Sequence, residues 1–176
     1  MLLRPKKITT DYVKGKRKGV LNPISYLIFA TTFYIIVITI FKAPKEVESI
    51  GNDPKNLGYE AGRFIREYIK YFWILSIIPL GISLKLIFRK FNYPEHLAIS
   101  SFIIAQSTII GIGSYLILKI PLILDPVVFG SMFFLIFKIF KRENDTIEST
   151  LLTISALFLF VVQWILIIAT IGFLNT

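Results

Sequence analysis

Apolar blocks separated by short charged stretches set the pattern of this chain. From Gly19 to Phe41 there is no Lys, Arg, Asp or Glu, and further apolar blocks run over about 71–88, 96–118, 121–140 and 149–174. Roughly 20 apolar residues are enough to cross the hydrocarbon core of a bilayer. A soluble amphipathic helix carries one apolar stripe, recurring every three or four positions, whereas these blocks are apolar all round. No ten-residue stretch alternates with period two, which excludes a strand-built membrane barrel. The pattern predicts an all-α integral membrane protein, one domain over 1–176, with transmembrane helices over about 20–41, 71–88, 96–118, 121–140 and 149–174. Residues 1–19 form a basic segment ahead of them.

Local signals refine these elements. Pro23 falls in the first turn of its helix, where a missing N–H is harmless. The first block is too long for a signal peptide and no small-residue cleavage pattern precedes Lys42, so an uncleaved span is expected. Residues 42–66 form a polar loop broken by Pro44, Gly51, Pro54 and Gly58, placed on the outer side. Glu60, Arg63 and Glu67 follow at helical spacing, and Tyr68, Tyr71 and Trp73 mark an interface level. Pro79 followed by Gly81 predicts a bend, and Lys85 lies near enough to a helix end to snorkel. In the third span Ser101 with Ala105, and Ser107 with Gly111, stand four apart, the small-xxx-small spacing that lets helices approach closely. Ile8 and Tyr12, four apart, predict a short amphipathic helix over residues 5–14 lying in the interface.

Asp125 and Pro126 interrupt the fourth block, which leaves five spans or four as alternatives; charge decides between them. With five spans the amino-terminal side collects thirteen basic residues: Arg4, Lys6, Lys7, Lys14, Lys16, Arg17, Lys18, Lys85, Arg89, Lys90, Lys138, Lys141 and Arg142. The other side has seven: Lys42, Lys45, Lys55, Arg63, Arg66, Lys70 and Lys119. With four spans the asymmetry vanishes, so the positive-inside bias favours five, with the amino terminus cytoplasmic and the carboxyl terminus periplasmic.

Composition supports the bilayer as solvent: 55% of residues are hydrophobic, 18% are charged and the mean hydropathy is +0.69. The net charge of +9 is concentrated around Lys14, Lys16, Arg17 and Lys18, a cluster expected to contact anionic lipid at the inner face, worth about 1 kcal/mol per basic residue held there. Nucleic acid is not an expected partner, because only Tyr12 is interleaved with these charges for base stacking. With no cysteine, disulfides, iron–sulfur clusters and thiolate zinc sites are excluded. One histidine, His96, makes a protein-built transition-metal site unexpected; no cofactor is expected.

The segments "LLRPKKITTDYVKGKRKGVLNPISYL" and "KFNYPEHLAIS" together resemble a bacterial family of polytopic membrane proteins of unknown function. The likeness lies in Arg4-Pro5, Tyr12, Gly15-Lys16-Arg17 and Asn22-Pro23, then Tyr93, Glu95 and His96 at the head of a later span. It implies a helical membrane fold in the bacterial inner membrane, and no activity. Many members carry a zinc ribbon before the membrane part, whose cysteines have no counterpart in these residues. Relatives also place further histidines after the Glu-His pair, where this chain reads "LAISSFIIAQS", so a histidine-rich intramembrane site is not carried over.

Four constellations are candidates for chemistry. Glu95 is suited to cap its helix, and alternatively pairs with His96 or Tyr93 for proton handling at the inner face. Asp125 is either a helix-start cap or a functional membrane carboxylate. Gln106 and Gln163, mid-span, need hydrogen-bond partners, and Trp164 can donate its N–H across the same contact as Gln163. "GIG" at Gly111 to Gly113 lies in a span and is read as packing. The expected role is that of an interaction, accessory or sensing subunit working with a membrane-protein partner or as a homo-oligomer. The alternatives are a transporter or channel with a path near Asp125, Gln106 and Gln163, and a lipid-directed enzyme using Glu95 and His96.

Overall fold

The computed structural model describes residues 5–13, 15, 22–41, 73–141 and 145–174. The cluster Lys14, Lys16, Arg17 and Lys18, the loop over 42–66 and the interface residues Tyr68 and Tyr71 lie outside them. Among the described residues all regular structure is helical: α1 Pro5–Val13, α2 Pro23–Ile40, α3 Ile77–Phe88, α4 Tyr93–Leu118, α5 Pro126–Phe140 and α6 Thr146–Leu174. Short 3-10 turns, Trp73–Ser76 and Leu122–Leu124, precede α3 and α5. Three helices are long and apolar enough to cross a membrane, Pro23–Ile40, Tyr93–Leu118 and Thr146–Thr170; Trp73–Phe88 and Pro126–Phe140 are shorter apolar helices.

Proline sets the helix starts. Asn22 accepts the N–H of Ile24 at 3.1 Å through Oδ1 while Pro23 opens α2. Asp125 and Pro126 repeat the arrangement at α5, where proline's fixed φ and absent N–H cost nothing. Pro79, where a bend is expected, also lies at a helix start. It sits in the first turn of a continuous α3, and the irregularity lies ahead of it, where the chain passes from the 3-10 turn into the α-helix at Ile77. Proline cannot donate to the carbonyl four residues back, so the α-type ladder begins after that point.

α4 is the hub. Of its apolar stretch 67% is buried, against 22% for α6. α2 runs parallel to it, with Tyr26 bonded to Gln106 and Tyr34 edge-on to Tyr115 at 6.0 Å. α3 runs antiparallel, with Trp73 bonded to Thr108 at one end and Gly81 against Leu97 and Ser100 nearer the other. α5 crosses close to α4 at Gly111, whose missing side chain makes room for Leu122 and Val128. α1 packs on α4 and α5: Tyr12 meets Phe102 edge-on at 5.6 Å, and Lys6 donates to the Lys141 carbonyl at 3.3 Å.

Two ends result. α1, the close of α3, the start of α4 and the close of α5 gather at one, where Phe88 stacks on Phe140 at 4.1 Å. The close of α2, the close of α4 and the start of α5 gather at the other, where Lys119 lies over the rings of Phe41 and Tyr115. Between the ends the outward surface is apolar: Phe29, Phe33, Ile36, Ile82, Leu86, Phe158 and Ile165 are all exposed. Large apolar side chains exposed in this number along the helices are what hydrocarbon solvates.

Candidate functional site

The start of α4 is built from "NYPEH". Asn92 is extended, Pro94 occupies the first turn, and the Glu95 Oε2 accepts the Asn92 N–H at 2.7 Å, closing the helix start on itself. Tyr93 stands exposed. His96, one residue on, turns inward and is fully buried. Its ring stacks on Phe140 at 5.9 Å with 12° between planes and meets Phe91 edge-on at 5.9 Å. Neither ring nitrogen has a hydrogen-bond partner. Lys85 is fastened nearby through its ammonium to the Phe91 carbonyl at 2.7 Å. No hydrogen bond joins Glu95, His96 and Tyr93 to one another: the carboxylate is turned to the backbone, and the imidazole is walled in by aromatic rings.

In mid-bundle the polar side chains pair across helices. The Tyr26 hydroxyl donates to Gln106 Oε1 at 2.8 Å, and Trp73 Nε1 donates to the Thr108 hydroxyl at 2.8 Å. Gln163 Nε2 donates to the Ser83 hydroxyl at 3.2 Å. Trp164, expected to share the Gln163 contact, does not: its indole N–H is buried without a partner. Ser101 returns its hydroxyl to the Leu97 carbonyl at 2.8 Å, Ala105 is fully buried, and the Ser107 hydroxyl is buried without a partner. Gln106 borders a cavity of about 20 Å³ with Ile8, Thr9, Phe102, Ile103, Leu135 and Ile139, room for about one water molecule.

At the opposite end Asp125 caps α5. Its Oδ1 accepts the Val127 N–H at 2.8 Å, while Oδ2 is buried with no partner. Tyr34 lies within its electrostatic reach. Neither Asp125 nor Gln163 lines the cavity at Gln106, so these three residues are separate features. Among the described residues no group of three or more His, Cys, Asp or Glu side chains is placed to hold a metal ion.

Sequence reasoning missed Tyr26, Thr108, Ser83 and the Phe91–Phe140 cage. A polar ring or hydroxyl on a buried helix face was the available signal for the first three; nothing local signals the last. A groove was also missed. It has about 380 Å³ of space and lies beside the first turns of α2 and α4, lined by Asn22, Pro23, Ile24, Glu95, Leu97 and Ala98 among others.

Helices that bury polar pairs and turn large apolar side chains outward support a helical membrane protein. A family model described as a protein of unknown function (DUF3667) matches residues 1–35, the stretch from α1 into α2, and over it the chain is similar to that uncharacterised family. No curated protein and no solved structure matches the chain.

Proposed function

We propose that this chain crosses a bacterial inner membrane five times, amino terminus inside, and works by interaction, as an accessory or sensing subunit. The observation that carries the reading is the disposition of polar groups in the bundle. Gln106 and Gln163 are engaged with Tyr26 and Ser83 on different helices, which is how membrane helices fasten to one another. A solute path needs such groups to converge on a shared cavity, and an enzyme needs them to converge on a reacting atom. Among the described residues the exposed charges at the end where α3 and α5 close include the basic side chains Lys6, Lys7, Arg89, Lys90 and Lys141, with the acidic Asp145 and Glu148 exposed beside them.

Five crossings are supported by the parallel course of α2 and α4 and the antiparallel course of α3, together with the charge asymmetry of the sequence. The absence of cysteine makes single-cysteine labelling free of background. Asn92→Cys and Lys141→Cys are expected to label from the cytoplasmic side, and Lys119→Cys from the other. Labelling of Lys119→Cys and Lys141→Cys from the same side would remove the crossing by α5 and leave four. The role itself is tested by affinity purification in mild detergent with mass spectrometry. A stoichiometric membrane partner or a defined homo-oligomer is expected; a lone monomer that moves a solute in vesicles overturns the reading.

A further inference from the structure

At the basic end of the molecule one groove is bordered by a charge of the opposite sign. The groove beside the first turns of α2 and α4 has about 380 Å³ of space, and among the described residues that line it the only charged one is Glu95. No lysine or arginine among those residues reaches it, although Lys6, Lys7, Lys85, Arg89 and Lys90 all lie toward the same end of the bundle. Its floor is apolar, formed by Pro23, Ile24, Ile77, Leu97 and Ala98, and its rim is polar, with Asn22, Glu95 and Tyr12. Small side chains make the space: Ala98 and Ser101 face it from α4, and the Ser101 hydroxyl is folded back onto its own helix.

The rim has bonding capacity left. Glu95 gives Oε2 to the Asn92 N–H and has no ion pair among the described residues, leaving Oε1 free to accept. Asn22 uses Oδ1 on Ile24, leaving its NH₂ as a donor. A carboxylate acceptor and an amide donor both border the groove, above an apolar floor that includes Ile24, which is 57% exposed. An acyl chain fills such an apolar floor at no cost in unpaired polar groups.

We propose that this groove holds a phospholipid with a primary-ammonium headgroup. The ammonium is bonded to Glu95, the phosphate takes the Asn22 amide, and an acyl chain lies along Pro23, Ile24, Leu97 and Ala98. Charge complementarity chooses the headgroup: an anionic lipid brings its phosphate against the Glu95 carboxylate with no ammonium to compensate. The general attraction of the basic end for anionic lipid is a separate, diffuse effect, screened within a Debye length. The site depends on the chain being membrane-embedded, and does not depend on whether it has a protein partner.

The test is native mass spectrometry of the full chain extracted in mild detergent, titrated with phosphatidylethanolamine, its N-methyl and N,N-dimethyl forms, phosphatidylcholine and phosphatidylglycerol. The wild-type chain is expected to retain phosphatidylethanolamine about tenfold more strongly than phosphatidylglycerol, a charge-assisted bond being roughly twice as strong as a neutral one. Retention is expected to fall stepwise as methylation removes N–H donors. Glu95→Gln is expected to abolish the headgroup preference while leaving the thermal midpoint in place, since glutamine serves in the same capping arrangement. Ala98→Trp, which fills the floor, is expected to remove retention of all five lipids. Equal retention of the five by the wild-type chain overturns the proposal without any variant, as does an unchanged preference in Glu95→Gln. A chain that stays dispersed without detergent overturns the membrane reading instead, which separates the two failures.

Discussion

At the residue scale the two glycines of the "GIG" run separate by what surrounds them. A Cβ on Gly111 meets the Leu122 and Val128 side chains at overlapping distances, whereas one on Gly113 meets nothing within 4 Å. Gly111→Ala therefore overpacks the α4–α5 crossing and is expected to cost about 1–3 kcal/mol. Gly113→Ala gains helix propensity and is expected to be neutral or stabilising by up to about 1 kcal/mol. Thermal unfolding in one detergent compares them, and equal midpoints would show that the crossing yields to a methyl group. The same measurement bears on His96. Its imidazole is buried between Phe91 and Phe140 with both nitrogens unpartnered, a loss of roughly 1–3 kcal/mol for each buried polar group left unsatisfied. His96→Phe is expected to hold or raise the midpoint. A marked drop would mean the ring makes a polar contact that stabilises the fold, and would restore the proton-handling alternative.

At the level of elements, what the sequence made legible is what is local. Asn22-Pro23 and Asp125-Pro126 announce helix starts because a cap and a proline act within three residues of one another. The short helix over Pro5–Val13 followed from the spacing of Ile8 and Tyr12. Partners were not legible: Tyr26 and Gln106 are 80 positions apart, as are Gln163 and Ser83, and apolar helices give no register from which to pair them. The sequence predicts a bend at Pro79, and the structure places that residue in the first turn of α3; whether a proline kinks a helix or begins one depends on where the ladder starts. Asp125 offers the element-scale test of cap against transport. As a cap, Asp125→Asn keeps the acceptor for the Val127 N–H and is expected to change stability little, while Asp125→Ala costs about 0.5–2 kcal/mol. A transport role predicts instead that Asp125→Asn inserts normally and loses solute flux in vesicles.

For the whole molecule the deciding question is where α5 ends. Pro126–Phe140 spans 15 residues, about 22 Å at 1.5 Å per residue, short of the roughly 30 Å hydrocarbon core. Length alone therefore does not distinguish crossing from re-entry, and the sequence argument for crossing is the charge asymmetry. Geometry supplies an independent argument. A re-entrant segment returns to the side it left, which would put Phe140 beside Phe41 and Lys119. Here Phe140 instead stacks on Phe88 and His96, at the other end of α4, and the Lys6 ammonium reaches the carbonyl that follows it. Toward that end Lys138 and Lys141 lie over Phe134 and Phe137 at 5.1 and 5.6 Å, an arrangement that would let a helix shorter than the hydrocarbon core cross it. In a chain without cysteine, the double variant Phe88→Cys/Phe140→Cys is expected to crosslink with a short bifunctional reagent in intact membranes, and Phe41→Cys/Phe140→Cys is not. The reverse result would return α5 to the outer side, reduce the crossings to four and erase the charge asymmetry with them. The number of crossings therefore turns on the path of α5.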